Sequence, residues 1–207
     1  MEAKNDYEVQ INNLNKSYGA HVVFDNFNIN FKKNKITVIL GPSGCGKTTL
    51  LNIISGIEKS YTGEVILKDS SLSYIFQEDR LIPNLTVFEN VAFVLKSTMS
   101  VEEAEKTANT YLSLVKLIDY KHMFPEKLSG GMKRRVAIAR AFAYKSRLLL
   151  MDEPFKGLDQ KLKNEIIEEF LRIHNEDNRT IILVTHDIKE AEALGDEIYN
   201  IENKNYP

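Results

Sequence analysis

Apolar and polar residues alternate at period two along Phe27-Asn28-Ile29-Asn30-Phe31, the pattern of a strand with one face buried. Ile36-Thr37-Val38-Ile39-Leu40, Leu148-Leu149-Leu150-Met151 and Ile181-Ile182-Leu183-Val184 are nearly unbroken apolar runs. Runs this short predict strands, and Ile181–Val184 reads as a strand buried on both faces. Val65-Ile66-Leu67 and Leu72-Ser73-Tyr74-Ile75-Phe76 are shorter strand candidates. From Thr86 to Lys121 the period lengthens. Ala104, Ala108, Tyr111, Leu112, Val115 and Leu117 mark one helical face, and Thr86 with Glu89 and Ser100 with Glu103 have capping-box spacing. A further helix is predicted from about Asp159 to His174, with Leu162, Ile166, Ile167, Phe170 and Ile173 as its apolar stripe. Strands alternating with helices predict an α/β fold around a mostly parallel sheet. The helical stretch from Thr86 to about Lys127 reads as an insertion on one side of it. No repeat, low-complexity tract or linker divides the 207 residues, so the chain is expected to form a single domain over 1–207.

Composition narrows the classes. A content of 43% hydrophobic and 27% charged residues fits a soluble globular chain. Lys and Arg number 27 against 29 for Asp and Glu, a balance that gives no support for nucleic acid or an anionic membrane as partner. Cys45 is the only cysteine, which excludes an intrachain disulfide framework and points to a cytosolic compartment. Met1-Glu2-Ala3-Lys4-Asn5-Asp6 is polar and acidic and lacks the form of a signal peptide. No apolar run approaches bilayer-spanning length, so attachment to a membrane is expected to go through another chain.

The chemistry begins at Gly41-Pro42-Ser43-Gly44-Cys45-Gly46-Lys47-Thr48-Thr49, between the apolar run ending at Leu40 and the helix-like Thr49–Ile54. Strand, glycine-rich turn, lysine and helix form a cradle for nucleotide phosphates. Glycines let backbone N–H groups converge on a polyanion, and the helix aims its positive end at the same place. Lys47 is expected to reach the β- and γ-phosphates, and Thr48 to place a hydroxyl on Mg2+. Cys45 reads as a small filler of the loop, or as a thiol activated by the nearby N–H dipoles.

Leu148–Met151 leads into Asp152-Glu153. Asp152, at the strand's carboxyl end, suits a Mg2+ ligand, and Glu153, one residue on, suits the polarisation of an attacking water. Pro154 then stops the strand. Ser129-Gly130-Gly131 precedes a second helix candidate, either as an anion-ready helix N-terminus or as an ordinary cap with a loose turn. The basic residues Lys133, Arg134, Arg135 and Arg140 are spread around that helix, which favours a solvated face over a nucleic-acid patch.

Together these segments resemble the nucleotide-binding subunit of an ATP-binding cassette (ABC) transporter, over nearly the whole chain. Gly41–Thr49 resembles the family's Walker A, Leu148–Glu153 its Walker B, and Leu128–Met132 its signature sequence, with Met132 where glutamine is usual. Gln77 resembles the Q-loop glutamine, Gly157-Leu158-Asp159 the D-loop, and His186 in Val184-Thr185-His186-Asp187 the switch histidine. Tyr18 falls where the family stacks an aromatic ring on adenine, although it would equally end a first strand.

The resemblance implies a P-loop ATPase fold: a mostly parallel core, an N-terminal antiparallel β portion and a helical subdomain at roughly 86–143. It implies ATP and Mg2+ as cofactors and ATP hydrolysis coupled to transport. Two such subunits, identical or paralogous, are implied to sandwich two nucleotides, each between one chain's Walker A and the other's Ser129, Gly130 and Gly131. Gln77 is implied to sense Mg2+ and γ-phosphate beside the membrane subunit, and His186 to contact the γ-phosphate. Integral-membrane permease subunits and an extracellular solute-binding protein are the implied partners, with the chain peripheral on the cytoplasmic face of the membrane.

Glu78-Asp79-Arg80-Leu81-Ile82-Pro83, Met132 and Asp152-Glu153-Pro154-Phe155 together resemble importer subunits of the nitrate, sulfonate and taurine group, which take up small organic anions or vitamin-like solutes. Leu81–Thr86 also resembles the lipoprotein-release and peptide-export branch, and a soluble non-transport ABC ATPase is the further alternative. The stretch Gly63–Gln77 is short for the family. The end at Pro207 soon after the last predicted strand is expected to leave no regulatory C-terminal domain. The apolar segment Leu81, Ile82, Leu85, Val87 and Phe88 is the expected membrane-partner contact.

Overall fold

The computed structural model describes residues 6–201; the readings made on Met1–Asn5 and at Pro207 lie outside the described residues. In chain order the elements are β1 (Tyr7–Tyr18), β2 (His21–Lys32), β3 (Ile36–Leu40), α1 (Lys47–Ile54), β4 (Thr62–Leu67), β5 (Leu72–Ile75), α2 (Val87–Ala92), α3 (Val101–Leu114), α4 (Gly130–Ala143), β6 (Leu148–Asp152), α5 (Gln160–Asp177), β7 (Thr180–Thr185), α6 (Ile188–Leu194) and β8 (Glu197–Asn200). They fall into two compact units. One holds the residues up to Tyr74, 146–153 and those from Asn178 onward; the other holds Ile75–Lys145 and Pro154–Asp177.

The first unit carries both sheets. One is antiparallel, in the order β2-β1-β4. Alternation places Val9 and Ile11 of β1 and Phe27, Ile29 and Phe31 of β2 in the core, and Phe24 stacks on Phe27 with centroids 5.0 Å apart. Gly63 is required where β4 meets β1: its φ is +100°, and a Cβ there would lie 2.4 Å from the Asn13 carbonyl oxygen. The other sheet runs β5-β6-β7-β3-β8, with parallel ladders between β6 and β7, β7 and β3, and β3 and β8. Every residue of β6 and β7 is buried, as unbroken apolar runs require when both faces are covered. The parallel core and the antiparallel N-terminal portion are both as anticipated.

The second unit is helical. Thr86 Oγ1 accepts from the Glu89 N–H while Glu89 accepts from the Thr86 N–H, and Ser100 with Glu103 repeats the arrangement. Each such cap contributes about 1 kcal/mol. Ala104, Ala108, Leu112, Val115 and Leu117 are buried, and Tyr111 is half-buried. On α5 the buried stripe is Ile166, Ile167, Phe170 and His174, with Leu162 and Ile173 only half-buried. Phe170 stacks on Phe142 of α4 at 5.1 Å. This unit takes in 154–177 as well as the helical stretch at 86–143.

The arginines of α4 do not form a solvated face. Arg134 is 4% exposed; its Nε donates to the Pro154 carbonyl at 2.7 Å and its Nη1 to the Phe76 carbonyl at 2.5 Å. Arg135 reaches the Val115 carbonyl at 2.9 Å, and Arg140 the Arg80 carbonyl at 3.1 Å. A charge count around the helix overlooks that orphan carbonyls in neighbouring loops need donors, which a planar five-donor fork supplies. No helix among the described residues is long and apolar enough to cross a membrane.

Candidate functional site

The site in the first unit grows from the end of β3. The chain turns through Gly44 and Gly46, both with positive φ, and enters α1. Gly46 caps that helix at φ +102°, and a Cβ there would lie 2.6 Å from Val23 Cγ1 and 3.0 Å from the Phe24 ring, so the loop seats tightly on β2. Lys47 is buried, and its Nζ donates to the carbonyls of Gly41 at 2.6 Å and Pro42 at 2.8 Å. Its ammonium is thereby folded into the turn rather than extended into solvent. Cys45 Sγ lies 3.8 Å from the same nitrogen, and Cys45 packs against the core. Pro42, Ser43, Gly44 and Thr48 are exposed, while Thr49 is half-buried.

Thr48 Oγ1 donates to Asp152 Oδ2 at 2.8 Å, so the loop's hydroxyl and the carboxylate at the end of β6 already share one position. Asp152 is 2% exposed. Hydroxyl and carboxylate oxygens are hard donors that suit Mg2+. With a lysine inside a glycine turn at a helix N-terminus, the donor set fits a magnesium-bound nucleoside triphosphate.

Glu153 follows at φ +48°, a left-handed conformation rarely adopted by glutamate. Its N–H donates to the Val184 carbonyl at 3.0 Å, and its Oε1 lies 2.7 Å from His186 Nδ1. The turn bearing His186 is tied on the far side. Thr185 Oγ1 donates to the buried Glu190 at 2.7 Å and accepts from the Asp187 N–H at 3.1 Å, while Asp187 caps α6. Glu190 was missed in the sequence; its signal is an acid three residues after the Asp187 cap.

Tyr18 ends β1 half-exposed. Its hydroxyl donates to Glu58 Oε2 at 3.1 Å, and Lys16 Nζ sits 4.3 Å from its ring centroid and 3.0 Å from Glu58. The Ser60 N–H and the Lys16 ammonium hold the Glu58 carboxyl down at about 2. Glu58 is the second residue the sequence did not single out.

In the second unit, Ser129 caps α4 by accepting from the Met132 N–H at 3.3 Å. Ser129 and Gly130 are exposed, and the space a Cβ of Gly130 would occupy is open. Gln77 is exposed, and its backbone carbonyl accepts from Arg134 at 3.4 Å. Asp79 beside it is pushed up by burial, against the opposing pull of Arg134.

The family model described as ABC transporter matches residues 24–156, from Phe24 of β2 through Gln77 and Ser129 to just past Glu153. The chain belongs to the ABC transporter family. Tyr18 and His186 lie outside the matched ABC segment. The chain is 43% identical to the spermidine/putrescine import ATP-binding protein PotA of Thermotoga maritima, over 92% of this chain and 55% of that protein. It is 40% identical to the sulfate/thiosulfate import ATP-binding protein CysA of Mannheimia succiniciproducens, over 92% of this chain and 57% of that protein. The chain thus spans little more than half the length of the curated relatives it matches. Among solved structures it resembles the dimeric ATP-binding cassette MJ0796 in a post-hydrolysis state bound to ADP and Pi. That likeness has a TM-score of 0.85 and 34% identity, and it covers 94% of each chain.

Proposed function

We propose that this chain is the ATP-hydrolysing subunit of an ABC importer, working on the cytoplasmic face of a membrane through separate permease subunits. The observation that carries the reading is the joined pair of contacts in the first unit: Thr48 on Asp152 at 2.8 Å and Glu153 on His186 at 2.7 Å. They support reading Asp152 as half of a metal-binding pair and Glu153 as a base with its orienting partner, on consecutive residues at one strand end. In this reading Lys47 leaves the Gly41 and Pro42 carbonyls for the β- and γ-phosphates, and Gly41–Thr49 supplies the surrounding donors. Thr48 and Asp152 would hold Mg2+, which supplies positive charge to the phosphate oxygens. Glu153 takes a proton from the attacking water, and His186 orients Glu153 and meets the γ-phosphate. Tyr18, steadied by Lys16 and Glu58, stacks on the adenine.

Exposed Ser129 and Gly130, with half-buried Gly131, serve the nucleotide of a second subunit, a copy of this chain or a paralogue. The dimeric form of the solved relative supports this assembly. Both curated relatives are named for import, which supports import over export. They are named for solutes of opposite charge, so the solute is read from sequence resemblance alone: a small organic anion or vitamin-like solute of the nitrate, sulfonate and taurine type, delivered by an extracellular binding protein.

The test is co-purification of the tagged chain from detergent-solubilised membranes of its host, followed by phosphate release with Mg-ATP. Recovery of permease subunits together with turnover that Glu153→Gln abolishes supports the reading. A chain that hydrolyses ATP yet recovers no membrane protein is a soluble ATPase, and one that binds ATP without turnover is a binding module.

A further inference from the structure

The nucleotide loop and Asp152 lie at the carboxyl ends of β3 and β6. A second concentration of charge lies at the amino ends of the same parallel strands, about 16 Å away at the rise of a five-residue strand. Lys33 is in the turn before β3, Arg147 immediately precedes β6, Thr180 opens β7, and Lys68 and Asp69 follow β4. With Glu8 of β1 these residues line a pocket of about 350 Å3 within the first unit.

The pocket's frame is fixed by backbone bonds. The Thr180 N–H donates to the Arg147 carbonyl at 2.9 Å, the Asn34 N–H to Thr180 Oγ1 at 2.9 Å, and the Lys68 N–H to the Glu8 carbonyl at 3.0 Å. Asp69 is engaged in its own turn, accepting from the Ser71 N–H at 2.7 Å. The neighbouring Lys68 ammonium pushes Lys33 down. Lys33, Lys68 and Arg147 line the cavity with Glu8 and Asp69, three cations against two carboxylates, and that surplus suits an added anion.

Glu8 points to which anion. It is 7% exposed, and its Oε1 has no hydrogen-bond partner among the described residues. A buried carboxyl oxygen left without a partner is costly. A fully ionised oxyanion beside an ionised carboxylate would add repulsion. A phosphate oxygen that carries or accepts one proton satisfies Oε1, and its remaining oxygens accept from lysine and arginine.

We propose that this pocket binds a phosphoryl group, as inorganic phosphate or the head of a small phosphate monoester, with Lys33, Lys68 and Arg147 as cationic donors and Glu8 sharing a proton with one phosphoryl oxygen. The site is remote from the nucleotide loop and does not rest on the ATPase reading.

The test is calorimetric titration of inorganic phosphate, sulfate and phosphoserine into the chain saturated with Mg-ADP, which occupies the other phosphate-binding loop. Phosphate is expected to bind at one site at neutral pH, about tenfold more tightly than sulfate. Lys68→Ala and Arg147→Ala, at exposed positions, are each expected to weaken it about tenfold through loss of a charge-assisted bond. Glu8→Gln is expected to erase the preference for phosphate over sulfate, because an amide donates to either ion. Unchanged ADP affinity in these variants shows that they fold. Phosphoserine binding more tightly than phosphate identifies a monoester as occupant; equal binding identifies the phosphoryl group alone. No phosphate binding with Mg-ADP present, equal affinity for sulfate in the unaltered chain, or affinity unchanged by Lys68→Ala and Arg147→Ala together overturns the proposal.

Discussion

His186 Nδ1 stands 2.7 Å from Glu153 Oε1, although 32 residues separate them in the chain. Two neighbouring strands make the meeting possible. Glu153 follows the end of β6, His186 follows the end of β7, and the Glu153 N–H on the Val184 carbonyl fixes the register between them. The left-handed backbone of Glu153 turns its side chain toward the histidine.

That pair yields the first prediction. Glu153→Gln keeps the side-chain shape and removes the base, so ATP binding persists and turnover falls by about a hundredfold or more. His186→Ala lowers turnover in the same direction. Because the residues touch, the double variant loses less than the product of the single losses. Phosphate release and fluorescent-ATP titration measure both quantities; normal turnover in Glu153→Gln removes the residue from its role.

Lys47 and the Thr48–Asp152 pair fail at an earlier step. Lys47→Ala deletes the ammonium and weakens ATP binding by about tenfold or more, the weight of a charge-assisted contact. Lys47→Arg does not restore it, because a planar fork cannot occupy the position held by a compact ammonium between the Gly41 and Pro42 carbonyls. Asp152→Asn weakens the Mg2+ dependence of turnover, seen as a shift of the magnesium titration to higher concentration. Chelation of Mg2+ by EDTA abolishes turnover in the unaltered chain.

Much of this candidate site's local geometry is legible in the sequence. Strand, glycine turn, Lys47 and Thr48 are contiguous, so local sequence carries their geometry. Asp152 and Glu153 were legible because an apolar run must end somewhere, and acids at that end stand out. The capping boxes at Thr86 and Ser100 were legible for the same local reason. Glu58 was not, because it acts on Lys16 and Tyr18, which tertiary folding brings near. Arg134 was misread because the burial of its guanidinium depends on the carbonyls of Phe76 and Pro154, which no helical-wheel count contains. The left-handed Glu153 carries no signal at all, since nothing in Asp-Glu-Pro marks a positive φ.

Ser129→Arg tests the subunit pairing. The residue is exposed and only caps α4, so its replacement costs about 1 kcal/mol of stability. Monomeric ATP binding persists. In the Glu153→Gln background, Mg-ATP is expected to shift the chain from monomer to dimer by light scattering, and Ser129→Arg to prevent that shift. Dimerisation unaffected by the arginine rules out a nucleotide shared between subunits at this position.

The Tyr18 cluster gives a pH dependence with a definite sign. Glu58 in the folded chain titrates at about 2, below the ordinary carboxylate range. The folded form therefore binds fewer protons at Glu58 than the unfolded form. Its contribution is complete above the unfolded carboxylate pKa and is lost as pH falls through that range toward about 2. Glu58→Gln removes this part of the acid sensitivity of the melting temperature. It also loosens Lys16 and Tyr18, so ATP affinity falls severalfold, and Tyr18→Ala lowers it at least as much by deleting the stacking ring. Equal affinity for ATP in Tyr18→Ala and the unaltered chain places the adenine elsewhere.

Asn90 organises the segment expected to meet the membrane partner. It is 0% exposed, and its side chain makes four bonds: it accepts from the Ile82 N–H at 2.8 Å and donates to the carbonyls of Ile82 at 3.1 Å, Leu85 at 2.9 Å and Thr86 at 3.0 Å. One amide thus replaces the ladder that residues 82–86 lack. Val87 is buried, while Leu81, Ile82, Leu85 and Phe88 are each half-buried against their own unit, less open than a bare apolar run suggests. Asn90→Ala leaves the Ile82 N–H and the Leu85 carbonyl to find new partners, while the Ile82 and Thr86 carbonyls keep the Leu85 and residue-90 N–H groups, and about 2–3 kcal/mol of stability is lost, read as a lower urea midpoint. Asn90→Asp is worse, since it keeps the bond to Ile82 N–H but turns three donations into repulsions. Ile82→Asp and Leu85→Asp change side chains that keep part of their surface in water, so both variants fold and retain ATP binding. If the segment is the partner surface, co-purification with permease subunits and solute-stimulated turnover fall in both, while basal turnover of the isolated subunit does not. If both variants assemble normally, the partner surface lies at the exposed aromatics Phe93, Tyr120 and Phe124 of the same unit, and Phe93→Asp and Phe124→Asp become the disruptive pair.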